Sequence, residues 1–322
     1  MPGPRILLVK LSSLGDVIHL MPAVTDLRAR LPEARVAWAI EPAYADLLRL
    51  HPGVDEALPV PLRALRSRPF SPEAWRALRS AKRAVRASGA DLAIDAQGLV
   101  KSAVITRWSR APAFGPDARS ARERFAARIY DVRLAVPWTL HAVERNRQLL
   151  AQVFGYAVDP PVHYGLAAPP AAPAWAPSRG YAVLLHAASR PAKQWPDASW
   201  IELARRLAGA GYETVFPGGS VREREAAARL AAASGPEAIA APATSIGEAA
   251  ALLAHAALVV GVDTGLTHLA VALGVPTVGI YRATSPERTG LYGGPHARNV
   301  GGAGASPAVE EVAAAAGIAP LP

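Results

Sequence analysis

The sequence predicts an α/β protein of two Rossmann-like domains facing a cleft. Three observations carry that reading. Short apolar runs alternate with longer stretches of helical period, the pattern of βα units wound around a parallel sheet. The alternation occurs twice. The two series are separated at about 159–177 by a segment holding Pro160, Pro161, Pro169, Pro170, Pro173 and Pro177, which reads as a stiff linker. Finally, the stretch Gly261–Ala270 leaves an apolar run through the polar turn Asp263-Thr264-Gly265 and enters a helix. That is the junction at which open α/β sheets bind ligands. With 322 residues there is length for two domains, expected at 1–165 and 166–322.

The elements follow in order. Arg5 to Lys10 reads as a strand and 11–16 as a loop. Val17, Leu20, Met21, Val24, Leu27 and Leu31 have helical spacing, so one helix is expected over 17–31, bent or tightened at Pro22. Residues 35–40 read as a strand and 43–50 as a helix. The basic segment from Arg63 begins as a loop, because of Pro69 and Pro72, and becomes a helix over 73–88, ended by Gly89. A strand at 91–94 leads through the turn Asp95-Ala96-Gln97-Gly98 to a helix over 99–110. Further helices are expected at 119–130 and 141–154. In the second series, strands are expected at 181–185, 214–216, 238–240, 257–260 and 277–281. Helices are expected at 196–208, after the turn 217–220, at 246–255, from the 263–265 turn through Leu273, and at 309–316.

Composition narrows the function. There is no cysteine, so neither disulfides nor thiolate metal sites are available. The apolar runs are broken too soon to span a bilayer, and the start shows no signal-peptide pattern. A cytoplasmic protein is expected. The net charge of +9 is uneven: residues 1–150 carry 24 Lys and Arg against 14 Asp and Glu, whereas 151–322 carry 11 against 12. Much of the surplus lies in Arg63, Arg66, Arg68, Arg76, Arg79, Lys82, Arg83 and Arg86, opposed within that stretch only by Glu73. Such a patch suits an acidic partner: nucleic acid, an anionic membrane or a phosphorylated substrate. Only four lysines stand beside 31 arginines. Lys10, Lys101 and Lys193 lie next to polar turns, and an ammonium is not replaceable by a guanidinium at a tight phosphate site.

Neither a Gly-x-Gly-x-x-Gly fingerprint nor a Walker A loop follows a strand, which argues against a dehydrogenase and a P-loop phosphotransferase. Metal-ligand spacings are missing too. A diphosphate would be held by helix starts and side chains: the N–H groups of Thr264, Gly265 and Leu266, and Lys193 beyond the turn His186–Arg190. Glu223 and Glu225 follow the strand at 214–216, where a carboxylate takes ribose hydroxyls or simply charges the helix surface. Asp16 ends a Ser-Ser-Leu-Gly loop at a strand-to-helix junction. There it serves as a general base or as a helix cap. His19 reads as a packed or hydrogen-bonding histidine.

These residues together resemble the bacterial lipopolysaccharide heptosyltransferases, in particular their heptosyltransferase I branch. The resemblance spans nearly the whole chain. It rests on Lys-x-Ser-Ser-x-Gly-Asp at 10–16, Ile-Asp-Ala-Gln-Gly-Leu-Val-Lys-Ser-Ala at 94–103, His-Ala-Val-x-Arg-Asn-Arg at 141–147, Lys-Gln-Trp-Pro at 193–196 and Asp-Thr-Gly-Leu-Thr-His at 263–268. It implies the GT-B glycosyltransferase architecture, with an N-terminal acceptor domain and a C-terminal donor domain. It also implies inverting transfer of L-glycero-D-manno-heptose from ADP-heptose to the first Kdo of Kdo-modified lipid A, without a metal or other cofactor. Asp16 then matches the general base. Ser189, Lys193, Glu223, Asp263, Thr264, Gly265, Leu266 and His268 match the donor side. Lys10, Ser12, Gly15, Arg63, Arg66, Gln97, Lys101 and Arg122 match the acceptor side. One departure stands out. The family often has two threonines before the lysine, and here the positions are Ala188 and Ser189.

The resemblance further implies peripheral action at the anionic cytoplasmic face of the inner membrane, and domain closure to complete the site. The rival readings are a heptosyltransferase that adds a later core heptose, a nucleotide-sugar epimerase and a periplasmic two-lobed sugar-binding protein. A nucleic-acid-binding protein is disfavoured, since the arginines lack interleaved aromatics apart from Phe70 and Trp75.

Overall fold

The computed structural model describes residues 3–318, and its internal contacts divide into two units, Met1–Leu166 and Ala167–Pro322. The first holds β1 (Arg5–Val9), β2 (Arg35–Ile40), β3 (Glu56–Pro59), β4 (Leu92–Asp95), β5 (Ala113–Pro116) and β6 (Val132–Leu134), in the order β3-β2-β1-β4-β5-β6. Every neighbouring pair is parallel. The second holds β7 (Tyr181–Leu185), β8 (Glu213–Phe216), β9 (Ala238–Ala240), β10 (Leu258–Val262), β11 (Thr277–Tyr281) and β12 (Ala297–Gly301), in the order β12-β11-β10-β7-β8-β9, again all parallel. Taken from each unit's first strand, the two orders are the same doubly wound topology. Residues 156–180 contain neither helix nor strand.

The central strands are apolar throughout because helices cover both faces of a parallel sheet. Ile6 to Val9 are at most 1% exposed, and every residue of β7, β10 and β11 is buried. Each such Val, Leu or Ile contributes about 1.5–3 kcal/mol on leaving water. In the second unit Trp195 and Trp200 meet edge to face, ring centroids 5.0 Å apart, and Trp195 Nε1 donates to Pro307 O at 2.9 Å. Gly261 in β10 is required by close approach: a Cβ there would lie 2.3 Å from Thr267 Oγ1. That hydroxyl donates to Val262 O at 2.7 Å and closes the turn around Asp263.

Several elements differ from the sequence expectation. The helix expected over 17–31 is two, Leu14–Ile18 and Met21–Arg30, and Pro22 opens the second, where its missing N–H has no intrahelical partner to lose. A short helix, Leu62–Ser67, stands in the expected loop. Residues 119–130 form only a 3₁₀ turn, Arg124–Arg128, rather than an α-helix. Four strands went unread: β3, β5, β6 and β12. All lie at or beside a sheet edge, where one flank needs no apolar side chains, and β6 and β12 hold no buried residue.

Candidate functional site

In each unit the reversal of strand order opens a crevice at the carboxyl ends of two neighbouring strands, β1 and β4 in the first, β7 and β10 in the second. Lys10, Asp16, Gln97, Lys193, Asp263 and Thr264 lie in the segments that follow these ends, whereas Arg63 and Arg66 follow β3, Arg122 follows β5 and Glu223 follows β8.

In the first unit, Lys10 follows β1 and is 5% exposed. Its Nζ donates to Ala96 O at 2.6 Å and to Asn146 Oδ1 at 3.4 Å. Burial lowers its ammonium to about 8, with the Asp16 charge opposing that shift. Asp16 lies in the short helix Leu14–Ile18. Its Oδ2 accepts from Ser13 N at 3.0 Å and Ser13 Oγ at 3.1 Å, and Arg122 reaches both carboxylate oxygens. Burial alone would raise its pKa. The Lys10 charge and then Arg122 outweigh burial, and the carboxyl falls to about 2. Asp16 is therefore ionised at neutral pH, but its basicity is held down by the cations around it. Lys10, Asp16 and Arg122 line one pocket with Arg145 and Asn146.

The other acceptor-side residues divide. Gln97 is buried, and its Oε1 accepts from Leu11 N at 2.8 Å, so it ties the β4 turn to the Asp16 loop. Ser12, in the loop before the helix, and Gly15, in its first turn, are half-buried. Arg63 gives its backbone N–H to the buried Glu41 at 3.0 Å, and its guanidinium lies over Tyr44. Burial raises the carboxyl of Glu41, just after β2, with the Arg63 N–H and charge and the Lys101 charge acting against it. Arg66 is exposed on the helix Leu62–Ser67. No hydrogen bond or ion pair joins Arg63, Arg66 or Lys101 to Asp16 among the described residues.

In the second unit, Asp263 follows β10. Its Oδ2 accepts from Lys193 Nζ at 2.5 Å and Thr284 Oγ1 at 2.6 Å, and its Oδ1 lies 3.6 Å from His268 Nε2. Burial acts to raise its pKa, but hydrogen bonds from His268, Lys193 and Thr284, followed by the Lys193 charge, hold the carboxyl well below the usual carboxylate range. Thr264 is the extended residue before the helix Gly265–Ala272 and makes no side-chain cap. Among the described residues the N–H groups of Thr264, Gly265 and Leu266 meet no acceptor, so they form a preorganised donor set for an anion. Ser189 is exposed. Glu223 Oε2 accepts from Gly219 N and Ser220 N, both at 2.9 Å, and caps the helix Val221–Ser234. Glu223 is thus more than a surface charge of that helix: one of its oxygens is taken up by the cap.

Sequence reasoning passed over five further residues. Asp95 is fully buried and accepts from Gln97 N, Gly98 N, Ser102 Oγ and Tyr130 OH at 2.6–3.1 Å, which fixes the turn carrying Gln97. Arg145 enters the Asp16 pocket and stacks 3.4 Å from the Trp138 ring centroid. Asn146 joins Lys10 to His19 O. All three lie inside quoted motifs, which was the available signal. Thr284, beyond β11, had none. His186 stands directly after β7, buried and edge to face with Phe216, and among the described residues neither ring nitrogen has a hydrogen-bond partner. Among the described residues no group of three or more His, Cys, Asp or Glu gathers as for a metal ion.

The sequence profile of glycosyltransferase family 9 (heptosyltransferase) matches residues 78–317. Lipopolysaccharide heptosyltransferase 1 of Pseudomonas aeruginosa is 43% identical over 296 residues, 90% of this chain and 81% of that protein. Its Escherichia coli K12 counterpart is 37% identical over 292 residues, covering 90% and 91%. The solved structure of E. coli heptosyltransferase WaaC with ADP matches with a TM-score of 0.86 at 34% identity, over 95% of this chain and 97% of that one. WaaC with ADP-2-deoxy-2-fluoro heptose matches at 0.85 and 35%, over 96% and 97%.

Proposed function

This chain belongs to glycosyltransferase family 9, the heptosyltransferases, and on that premise we propose that it transfers L-glycero-D-manno-heptose from ADP-heptose to the first Kdo of Kdo-modified lipid A, with inversion. The observation that carries this reading is the division of charge between the two strand-end sites. An ionised Asp16 is ringed by Lys10, Arg122 and Arg145, as an acceptor bearing both a hydroxyl and anionic groups requires. Lys193 and the open helix start surround Asp263, as a nucleotide diphosphate sugar requires.

The reaction is a single displacement. Asp16 takes the proton of the acceptor hydroxyl as its oxygen attacks the anomeric carbon, and the bond to ADP breaks with its electrons passing to the β-phosphate oxygen. Lys193 and the N–H groups from Thr264 to Leu266 stabilise the departing diphosphate. Such preorganised donors are worth on the order of 10²–10³ in rate each. Asp263, aligned by Lys193, Thr284 and His268, accepts from the heptose hydroxyls. Glu223 Oε1, opposite the capping oxygen, takes the ribose, and Ser189 adds a phosphate contact. Lys10, Arg63, Arg66, Lys101 and Arg122 meet the acceptor's acidic groups, and Gln97, Ser12 and Gly15 shape the loop and helix start that carry Asp16. An acceptor carboxylate that draws Arg122 away raises the basicity of Asp16 at the moment of attack.

No described helix is long and apolar enough to cross a membrane. A peripheral place on the anionic cytoplasmic face of the inner membrane fits the basic first half of the chain. The test is ADP release from ADP-heptose with Kdo-modified lipid A, and with the same acceptor already carrying one heptose. Release with the first alone, unchanged by EDTA, is expected. Release only with the second would move the enzyme to a later core heptose, and loss in EDTA would overturn metal-independent transfer.

A further inference from the structure

The helix Pro72–Ala87 and the turn before it have a surface that the transfer chemistry does not use. The helix presents two stripes, rotated from each other by about 100°, the turn of a single helical residue. Ala74, Leu78, Ala81 and Val85, spaced i, i+4, i+7 and i+11, face the unit's interior, and all but the half-buried Leu78 are buried. Trp75, Arg79, Lys82 and Arg86 repeat that spacing one residue on and face solvent, flanked by Arg76 and Arg83. Among the described residues, only Arg76 of this set makes an ion pair, with Glu73. Phe70 forms the tip of the turn entering the helix and is 96% exposed, while Trp75 is 45% exposed. Trp75 Nε1 donates to Pro69 O at 2.8 Å, which fixes the tip against the helix.

A phenylalanine with almost no protein contact, an indole beside it and a stripe of unpaired cations behind them match the layers of an anionic bilayer surface. The phenyl ring reaches the acyl boundary, the amphipathic indole suits the interface, and the cations lie at the level of the lipid phosphates. We infer that the Phe70 turn and the Trp75–Arg86 stripe form a membrane-docking element that seats Phe70 in the lipid and the cations on anionic headgroups. The inference deepens the peripheral-membrane part of the proposed function and is independent of the transferase part. A nucleic acid would use the cations but has no use for a phenylalanine projecting at the end of the stripe.

The test is co-sedimentation of the full chain with phosphatidylglycerol-containing and pure phosphatidylcholine vesicles at low salt, with neither donor nor acceptor lipid present. The wild type should partition onto the anionic vesicles. Phe70→Ser should weaken partition about tenfold, and Arg79→Gln/Lys82→Gln/Arg86→Gln together about a hundredfold. These positions are solvent-facing, and unchanged circular dichroism and melting would show that folding is kept. Equal binding by the wild type and both variants, or wild-type indifference to anionic vesicles, would overturn the inference. So would tight binding of a single-stranded RNA that the triple variant loses while vesicle binding persists. Because no sugar transfer is read, an inactive enzyme that still docks would count against the transferase reading alone.

Discussion

The two units share a strand order and place their ligand edge at the same topological point, yet they hold their key carboxylates in opposite ways. Asp16 sits on a five-residue helix, and its guanidinium partner is 40% exposed. Asp263 is gripped by an ammonium, a hydroxyl and an imidazole from three separate segments. The surplus positive charge lies entirely in the half that contains Asp16. The shared topology explains where ligands go, and the side chains explain which ones. In the proposed roles, a base gains proton affinity when a cationic partner can leave it, and a carboxylate that orients a sugar gains from being immobile.

Substitutions can break that contrast. The largest effect outside the base itself is expected at Lys193. Lys193→Ala removes the cation from the donor site and should lower kcat on the order of 10²–10³. Lys193→Arg should recover little, since a planar guanidinium does not replace a compact ammonium. Steady-state kinetics with full recovery by arginine would reduce Lys193 to a generic positive charge.

A smaller effect is expected from pH. Lys10 loses its proton near pH 8 in the free protein, so acceptor kcat/KM should fall by about tenfold as pH rises through that value. The direction of coupling is testable because Asp16 raises the Lys10 pKa. In Asp16→Asn that support is gone, and the Lys10 transition, followed by NMR of the Nζ group, should move to lower pH. A transition that stays in place would separate the two groups and undo the description of that pocket. Smallest is Thr284→Val, which takes one of three donors from Asp263. It should raise the donor KM several-fold, in keeping with about 1 kcal/mol for one hydrogen bond, and leave acceptor KM unchanged.

What was legible in the sequence follows from local chemistry. The central strands are apolar on both faces and announce themselves, whereas β6 and β12, exposed at the sheet edges, carry no such pattern. Asp16 and Asp263 were legible because each lies at a polar junction between a strand and a helix. Their partners were less so. Lys193 and Asp263 are 70 positions apart, and only the pairing of β7 with β10 brings them together. Thr284 arrives by the same kind of convergence and had no local sign at all. Gln97 was read as an acceptor contact, and the fold gives its side chain a prior duty at Leu11 N. Pro22 signalled a bend in the expected 17–31 helix but not a full break, because the apolar spacing continues across it even though the helical backbone does not.

The most direct test of the central claim, that Asp16 is the base and the second unit holds the donor without it, pairs two readings on Asp16→Ala. One is acceptor-dependent ADP release, and the other is ADP binding by calorimetry. The account predicts a loss of turnover of at least a hundredfold with ADP affinity unchanged. Turnover near that of the wild type, or loss of ADP binding in step with turnover, would contradict it.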